Sequence, residues 1–164
     1  MKLGHKIARI VYIGATLLRQ GDNFTDEHTP ARDPEASKYP VDISDAGVMT
    51  YPFARERYYS PTTAREDAER AEGLLQGQAA SIGSERAAYG AYGWARYGVP
   101  VTWIGTRQDR PLPVGMQEEY VQRLREAGVE TEVVWWECDH SPYLTYARDV
   151  KAVLVAAAES PRRD

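Results

Sequence analysis

Cysteine is almost absent from this chain of 164 residues, and its single thiol, Cys138, excludes an intrachain disulfide. One cysteine also provides no zinc-ligand spacing, and no other pattern in the sequence indicates a metal or cofactor site. We therefore expect a protein without metal or cofactor. A chain that needs no disulfide suits a reducing compartment, and we expect a cytoplasmic location.

An excess of charge of one sign is also missing, because 20 basic and 24 acidic residues are mixed along the chain. Nucleic-acid-binding proteins usually carry a basic patch or stripe, so we expect no nucleic-acid partner. The sequence contains no G-x-G-x-x-G motif and no other phosphate-binding loop. This absence argues against a nucleotide-binding domain of the Rossmann type.

No apolar run is long enough to cross a bilayer, which takes about 20 residues. The first apolar run, at residues 7–18, is interrupted by Arg9 and ends at Arg19. No small-residue cleavage site follows it, so it does not fit a signal peptide. We expect no membrane partner and interpret this run as a buried strand.

Apolar runs alternate with segments of helical periodicity along much of the chain. Nearly continuous apolar, β-branched character predicts parallel strands covered on both faces at residues 6–14, 99–106 and 131–137. Apolar residues at helical spacing predict helices at residues 64–75, 84–97, 114–127 and 144–159. The order strand, helices, strand, helix, strand, helix predicts right-handed β-α-β units and an α/β fold in three layers.

Several details of these helices can be tested against a structure. Thr63 followed by Glu66 is the pattern of a capping box, which predicts an N-cap at Thr63. Tyr89, Tyr92 and Trp94 are predicted to pack against the sheet or a lid rather than around a cofactor. In the helix at 114–127, the predicted buried face consists of Met116, Tyr120 and Leu124. In the helix at 144–159, it consists of Val150, Val153 and Leu154.

Residues 20–51 are polar, contain three prolines and show no period. Long segments of this kind are either ordered lids or flexible surface loops, and both interpretations stay open. We find no second domain. The predicted organisation is a single partial domain over residues 1–164, with a lid or cap insertion at 22–83 and a C-terminal core at 98–160.

Two polar residues follow consecutive strands, at the point where each strand ends. Asp109 follows the strand at 99–106, and His140 follows the strand at 131–137. Chemistry in open parallel sheets sits beyond the carboxyl ends of the strands, so we expect these side chains to meet. A carboxylate that orients an imidazole is the arrangement that activates a serine nucleophile.

Each residue also has an interpretation without function. Asp109 could be a turn residue that pairs with Arg107 or Arg110, and His140 could be a turn residue that happens to follow a strand. Asp139 competes as the acid, although a direct neighbour rarely has the geometry to brace the ring. Cys138 competes as the nucleophile, although a thiol at a buried strand end is usually inert. His5 and His28 have no comparable setting, and we expect both at the surface.

The segment from Val99 to Pro113, with Gln117 after it, resembles the acid-bearing segment of α/β-hydrolase-fold esterases, in the group that contains methylesterases and hydroxynitrile lyases. Residues 138–144 are similar to the histidine motif of that group. Residues 6–21 resemble the strand after the nucleophile helix, and residues 57–60 with the following helix resemble a cap segment. The resemblance is firm from Gly98 onward and absent at residues 24–50.

This resemblance implies a carboxylic ester hydrolase with a Ser-His-Asp mechanism, in which Asp109 is the acid and His140 the general base. It also implies a cap over an acyl pocket and a small apolar ester-like substrate. Hydroxynitrile lyases carry lysine directly after the histidine. This chain has Ser141 there, so we set lyase chemistry aside.

The serine nucleophile of the family lies on a G-x-S-x-G turn, and no such motif occurs in this sequence. None of seven serines, at positions 37, 44, 60, 81, 84, 141 and 160, has the strand-to-helix setting that exposes a nucleophile. We expect that five strands, the oxyanion loop and the serine are missing ahead of residue 6, and that this chain alone is not self-sufficient as an enzyme.

The alternative is a non-catalytic hydrolase-like module that binds a small apolar ligand or a partner chain. A first strand without a neighbour would expose an edge that invites pairing, which predicts a homo-oligomer through that edge or docking to a separate front half.

Overall fold

The computed structural model describes residues 7–29, 32, 38–90, 92 and 97–160. In these ranges the strands are β1 (Ile10–Ile13), β2 (Asp42–Ile43), β3 (Val48–Thr50), β4 (Gln78–Ala79), β5 (Val101–Thr106) and β6 (Thr131–Trp136). The helices are α1 (Phe24–Glu27), α2 (Ala54–Tyr58), α3 (Arg65–Glu72), α4 (Val114–Glu126), α5 (Pro142–Thr145) and α6 (Ala147–Glu159), with a 3₁₀ turn at Ala80–Gly83.

The main sheet of the described residues is parallel and has the strand order β1-β5-β6. All six residues of the central strand β5 are buried, whereas those of β1 are half-buried. Val101 and Trp103 pack into a core with α4, and Ile104 on the alternate face is also fully buried. Both faces of β5 are therefore covered, as expected for a parallel strand in an α/β fold.

Helix α4 follows β5 and packs back onto the sheet through its apolar stripe. Met116, Tyr120 and Leu124 are buried in the core, as the sequence predicts. The Tyr120 ring lies 6.1 Å from the Trp103 ring, centroid to centroid. The helix ends at Glu126, and Gly128 at φ +80° turns the chain toward β6. This β5-α4-β6 unit brings the loops after both strands to one edge of the sheet.

The residues between β1 and β5 form short elements of their own. Strands β2, β3 and β4 make a small antiparallel sheet, which the sequence did not indicate. Helices α2 and α3 pack against each other through Ala54, Tyr59 and Ala68, and Leu144 of the C-terminal part contacts this cluster. The fold class is confirmed: a parallel three-stranded sheet with helices, and an insertion after its first strand.

Three predictions about helices were wrong. Thr63 does not cap a helix with its side chain, because its amide and hydroxyl both donate to the buried Asp139 carboxylate, and α3 begins at Arg65. Residues 84–90 of the predicted 84–97 helix form turns instead. The Ala87 amide donates to the Asp22 carbonyl and the Ala87 carbonyl accepts from the Gly21 amide, so both groups pair outside a helix. Residues 91 and 93–96, with Trp94, lie outside the described residues.

The third concerns the last helix, which we predicted as continuous over 144–159. It is split into α5 and α6 at Tyr146, whose ψ of 36° is not helical. Val150 and Ala157 are buried in α6, whereas Leu154 is 45% exposed. Tyr89 is also exposed, at 90%, while the Tyr92 hydroxyl donates to the Leu17 carbonyl and its ring packs on the core.

Helix α1 is joined to helix α4 by a network of partly buried ion pairs. Glu27, whose side chain is 9% exposed, pairs with Arg123 at 3.1 Å and with Arg32 at 2.9 Å. Both arginines also pair with Glu119. Burial works to raise the pKa of Glu27, but the Tyr120 hydroxyl and the two guanidinium groups outweigh it, so the pKa lies below its usual value.

A Glu27→Gln variant should lose about 2 kcal/mol of unfolding free energy at pH 7, because two guanidinium groups lose a charged partner in a mostly buried site. Since the folded-state pKa is lowered, the stabilisation exists above the unfolded pKa and disappears as the pH falls through the folded one. Urea unfolding at pH 7 and near pH 3 should therefore show a difference from wild type that shrinks in acid. A Glu69→Gln variant, which changes a carboxylate in an exposed pair with Arg65, should leave stability unchanged.

Candidate active site

The loop after β5 holds a buried carboxylate in a fixed orientation. The Asp109 side chain has no exposed area. Its Oδ2 accepts from the Thr106 hydroxyl at 2.6 Å, and its Oδ1 accepts from the Leu112 amide at 2.8 Å. These bonds arise from the turn that leads from the strand into α4, so the chain segment itself aims the carboxylate.

Gln117, in the first turn of α4, holds the backbone of this loop through its side-chain amide. Its side chain is fully buried, and its Oε1 accepts from the Thr106 amide at 3.0 Å. Its Nε2 donates to the carbonyls of Thr106 and Leu112, both at 2.8 Å. An apolar residue in its place would leave three buried backbone groups unpaired, so this amide keeps the acid loop in shape. The family resemblance includes Gln117, but no sequence pattern predicts these contacts.

The loop after β6 brings His140 onto this carboxylate. His140 Nδ1 lies 2.9 Å from Asp109 Oδ2 and 3.1 Å from Oδ1, and the histidine side chain is 23% exposed. A carboxylate only accepts hydrogen bonds, so this contact requires a proton on Nδ1, which in a neutral ring means the Nδ1–H tautomer. Nε2 is then left with a free lone pair, and it has no hydrogen-bond partner among the described residues.

Two neighbours shape the space around the imidazole. Gly14, just after β1, has φ +52°, and a Cβ atom there would stand 3.1 Å from His140 Cε1. Glycine at this position thus allows the ring to approach the end of β1. On the other side, the Tyr58 ring of α2 lies 5.5 Å from the imidazole, centroid to centroid. The insertion between β1 and β5 and the sheet itself therefore both border His140.

The competing partners of Asp109 are engaged elsewhere. Arg107 pairs with Glu137 at 3.2 Å and lies over the Trp135 ring, and Arg110 donates to the Glu56 carbonyl. Asp139, the alternative acid, accepts its hydrogen bonds from Thr62, Thr63 and Ser141 rather than from the imidazole. Of the acids considered, Asp109 is the one that contacts the His140 ring.

Cys138 has the environment of an inert thiol. Its side chain is fully buried, and burial, with the nearby Asp139 carboxylate, raises its pKa to about 12. A thiol with so high a pKa carries almost no thiolate at neutral pH, so it is a poor nucleophile.

The histidine at position 28 is not a surface residue, contrary to expectation. It is half-buried, its Nε2 lies 2.8 Å from the Thr16 hydroxyl, and its ring stacks on Phe24 at 4.1 Å. Burial lowers its pKa to about 4, so it is neutral at pH 7. A polar segment without periodicity gave no signal for this burial. His5 lies outside the described residues.

No serine among the described residues contacts His140 through a hydrogen bond. Ser141, its neighbour in sequence, is buried and shares a hydrogen bond with Tyr143 at 3.1 Å between the two hydroxyl oxygens. Of the other serines considered, five are described and hold no bond to the imidazole, and Ser37 lies outside the described residues. The described residues also include no cluster of metal-ligating side chains. None of their helices has the length and apolar character that a membrane crossing requires.

No family model matches the sequence, and no curated protein matches it either. Solved structures do match in fold. A pyrethroid hydrolase from Sphingobium faniae JZ-2 superposes with a TM-score of 0.64 at 21% identity, over 93% of this chain and 61% of that protein. A methylesterase from Arabidopsis gives a TM-score of 0.64 at 18% identity, over 93% of this chain and 59% of that protein.

Polyneuridine aldehyde esterase gives a TM-score of 0.63 at 18% identity, over 94% of this chain and 63% of that protein. The chain thus spans about 60% of the length of the solved structures that it matches. All three have the α/β-hydrolase fold, and the parallel sheet of this chain with its flanking helices is part of that fold.

Proposed function

We propose that this chain, which has part of the α/β-hydrolase fold, supplies the acid and the general base of a carboxylic ester hydrolase. The observation that carries the proposal is the contact between the buried Asp109 carboxylate and His140 Nδ1 at 2.9 Å. Hydrolases and esterases among the structures of similar fold support the same reaction class.

The chemistry follows from the protonation that this contact requires. With a proton on Nδ1, His140 Nε2 accepts the proton of a serine hydroxyl as that oxygen attacks the ester carbonyl. The imidazolium that forms is stabilised by Asp109, which remains ionised. Nε2 then gives the proton to the departing alcohol. Water attacks the acyl-enzyme in a second round, with His140 again as the base.

The proposal places the serine and the oxyanion hole outside the described residues. The substrate is a small ester with an apolar acyl or alcohol part, bordered by Tyr58 of the cap region next to His140. A cytoplasmic location and the absence of nucleic-acid and membrane partners belong to the same proposal.

Two measurements on the purified chain test this function. First, a fluorophosphonate probe followed by intact-mass analysis should give no adduct beyond that of a His140→Ala control. An adduct that the control lacks would instead reveal an activated serine within this chain. Second, ¹⁵N NMR of the His140 ring should show the proton on Nδ1 at pH 7.5. A ring with its proton on Nε2 would contradict the role of base.

A second candidate is a non-catalytic module that binds a partner chain. It is favoured by β1, whose outer edge pairs with no strand in the described part of the chain. Sedimentation of the purified chain separates the candidates, because a homo-oligomer that forms through this edge would support the module. A Val11→Pro variant, which removes an edge amide, should then shift it to monomer.

A further inference from the structure

We propose that Asp139 is a positioning residue, which sets the orientation of His140 by tying the histidine loop to the segment before α3. The inference rests on the proposed roles of Asp109 and His140 and extends them to a residue that contacts neither the Asp109 carboxylate nor the imidazole. Asp139 is fully buried, directly precedes the histidine, and uses both carboxylate oxygens.

The hydrogen bonds of Asp139 join two distant parts of the chain. Its Oδ2 accepts from the Thr62 amide at 3.2 Å, the Thr63 amide at 2.8 Å and the Thr63 hydroxyl at 2.9 Å. In return, its own amide donates to the Thr62 hydroxyl at 2.9 Å. Four bonds thus connect the histidine loop to Thr62 and Thr63, which lie 77 and 76 positions earlier in the chain.

The second carboxylate oxygen acts on the other side of the histidine. Oδ1 accepts from the Ser141 amide at 3.2 Å, so the carboxylate bridges over His140 within its own loop. The backbone is therefore held on both sides of the residue whose ring must reach Asp109. A buried carboxylate with four donors is a rigid anchor, because each bond to a charged acceptor is stronger than a neutral one.

This arrangement also couples the base to the cap region. Thr63 lies two residues before α3, and α2 carries Tyr58, whose ring borders the imidazole. The Thr63 hydroxyl further lies 3.3 Å from the Thr145 hydroxyl of α5. A displacement of the segment at 62–63 would therefore be transmitted to His140 through one buried side chain.

Asparagine is the discriminating substitution at this position. Its side chain has one acceptor oxygen, where the carboxylate serves four donors on two oxygens. Whichever way the amide of an Asp139→Asn variant turns, its NH₂ group faces either Ser141 N–H or the donors of Thr62 and Thr63. One side of the bridge must open, while the volume of the side chain stays the same.

The test is ¹⁵N NMR of the His140 ring at pH 7.5 in wild type and the Asp139→Asn variant, with unfolding followed in urea. We expect the population ratio of Nδ1–H to Nε2–H to fall about tenfold or more in the variant, as for the loss of one well-placed hydrogen bond. An Asp149→Asn variant, which removes the same charge at an exposed site in α6, should keep the wild-type ratio.

A Thr63→Val variant keeps the proposal testable if Asp139→Asn does not fold, because it removes only one hydrogen-bond donor to Asp139. It should shift the ring ratio in the same direction by a smaller amount. If both folded variants retain the wild-type ratio, or if Asp139→Asn unfolds and Thr63→Val retains the ratio, Asp139 is not a positioning residue. If wild type itself carries the proton on Nε2, the proposed function fails instead, so the two failures are distinguishable.

Discussion

An Asp109→Asn variant is expected to move the proton of the His140 ring from Nδ1 to Nε2. The carboxylate serves the Thr106 hydroxyl, the Leu112 amide and His140 Nδ1 together. Asparagine has one acceptor oxygen. If that oxygen keeps the Leu112 amide, its NH₂ group faces the imidazole and Nδ1 must become the acceptor.

A ring with its proton on Nε2 cannot take a proton from a nucleophile. In any preparation that hydrolyses esters with this chain present, kcat should fall by about 10⁴-fold, the size of effect known for a wrong tautomer in a Ser-His-Asp site. The unfolding free energy should fall by about 2 kcal/mol, because buried donors lose a charged acceptor.

The measurement is ¹⁵N NMR of the His140 ring, combined with urea unfolding at pH 7.5. A Thr106→Val variant is a useful comparison, because it removes one bond to Asp109 and leaves the carboxylate in place; it should keep the proton on Nδ1. If Asp109→Asn also keeps it there, Asp109 does not decide the protonation of the base.

The second large effect is expected at Gly105, the next-to-last residue of β5. Gly105 lies opposite Trp135 in the parallel ladder, and the indole ring covers the glycine. A Cβ atom at this position would overlap Trp135 Cε3 and Cζ3. The ring is also covered by the Arg107 guanidinium at 4.9 Å from its centroid, so it cannot move aside without losing that contact.

A Gly105→Ala variant should therefore lose about 3 kcal/mol of unfolding free energy, at the upper end of what overpacking costs. A Gly105→Ala, Trp135→Val double variant should recover part of this loss, because the clash is removed. Gly115→Ala is the control: it lies in α4 with nothing within 4 Å of its Cβ, and should be neutral or slightly stabilising. Equal stability of Gly105→Ala and wild type in urea unfolding would contradict the clash.

The features that the sequence determined are those that depend on short-range patterns. The apolar runs at 99–106 and 131–137 predict strands whatever packs against them. The spacing of Met116, Tyr120 and Leu124 predicts one buried helix face. Because parallel strands end at one edge of the sheet, the order of Asp109 and His140 along the chain already predicted that they would meet. The His140 ring and the Asp109 carboxylate do meet, with Nδ1 and Oδ2 2.9 Å apart.

The features that failed depend on partners far away in sequence. Thr63 has every local mark of an N-cap, but a buried carboxylate 76 positions later takes both of its donors. The turns at 84–90 replace a predicted helix because their backbone groups pair with residues 21 and 22. A local pattern determines which hydrogen bonds a segment can make. It does not determine which of several possible acceptors its donors bind in the folded chain.

Composition alone could not place the buried ionisable side chains either. Glu27 and His28 lie in a segment without period, and only the packing of α1 on α4 and of Phe24 on the His28 ring buries them. The sequence by itself determined the parallel core and the two residues at its edge, because apolar periodicity and strand direction are local properties. The tertiary structure decided how Asp139, Gln117 and Gly14 hold His140, because each contact joins groups whose proximity exists only after folding.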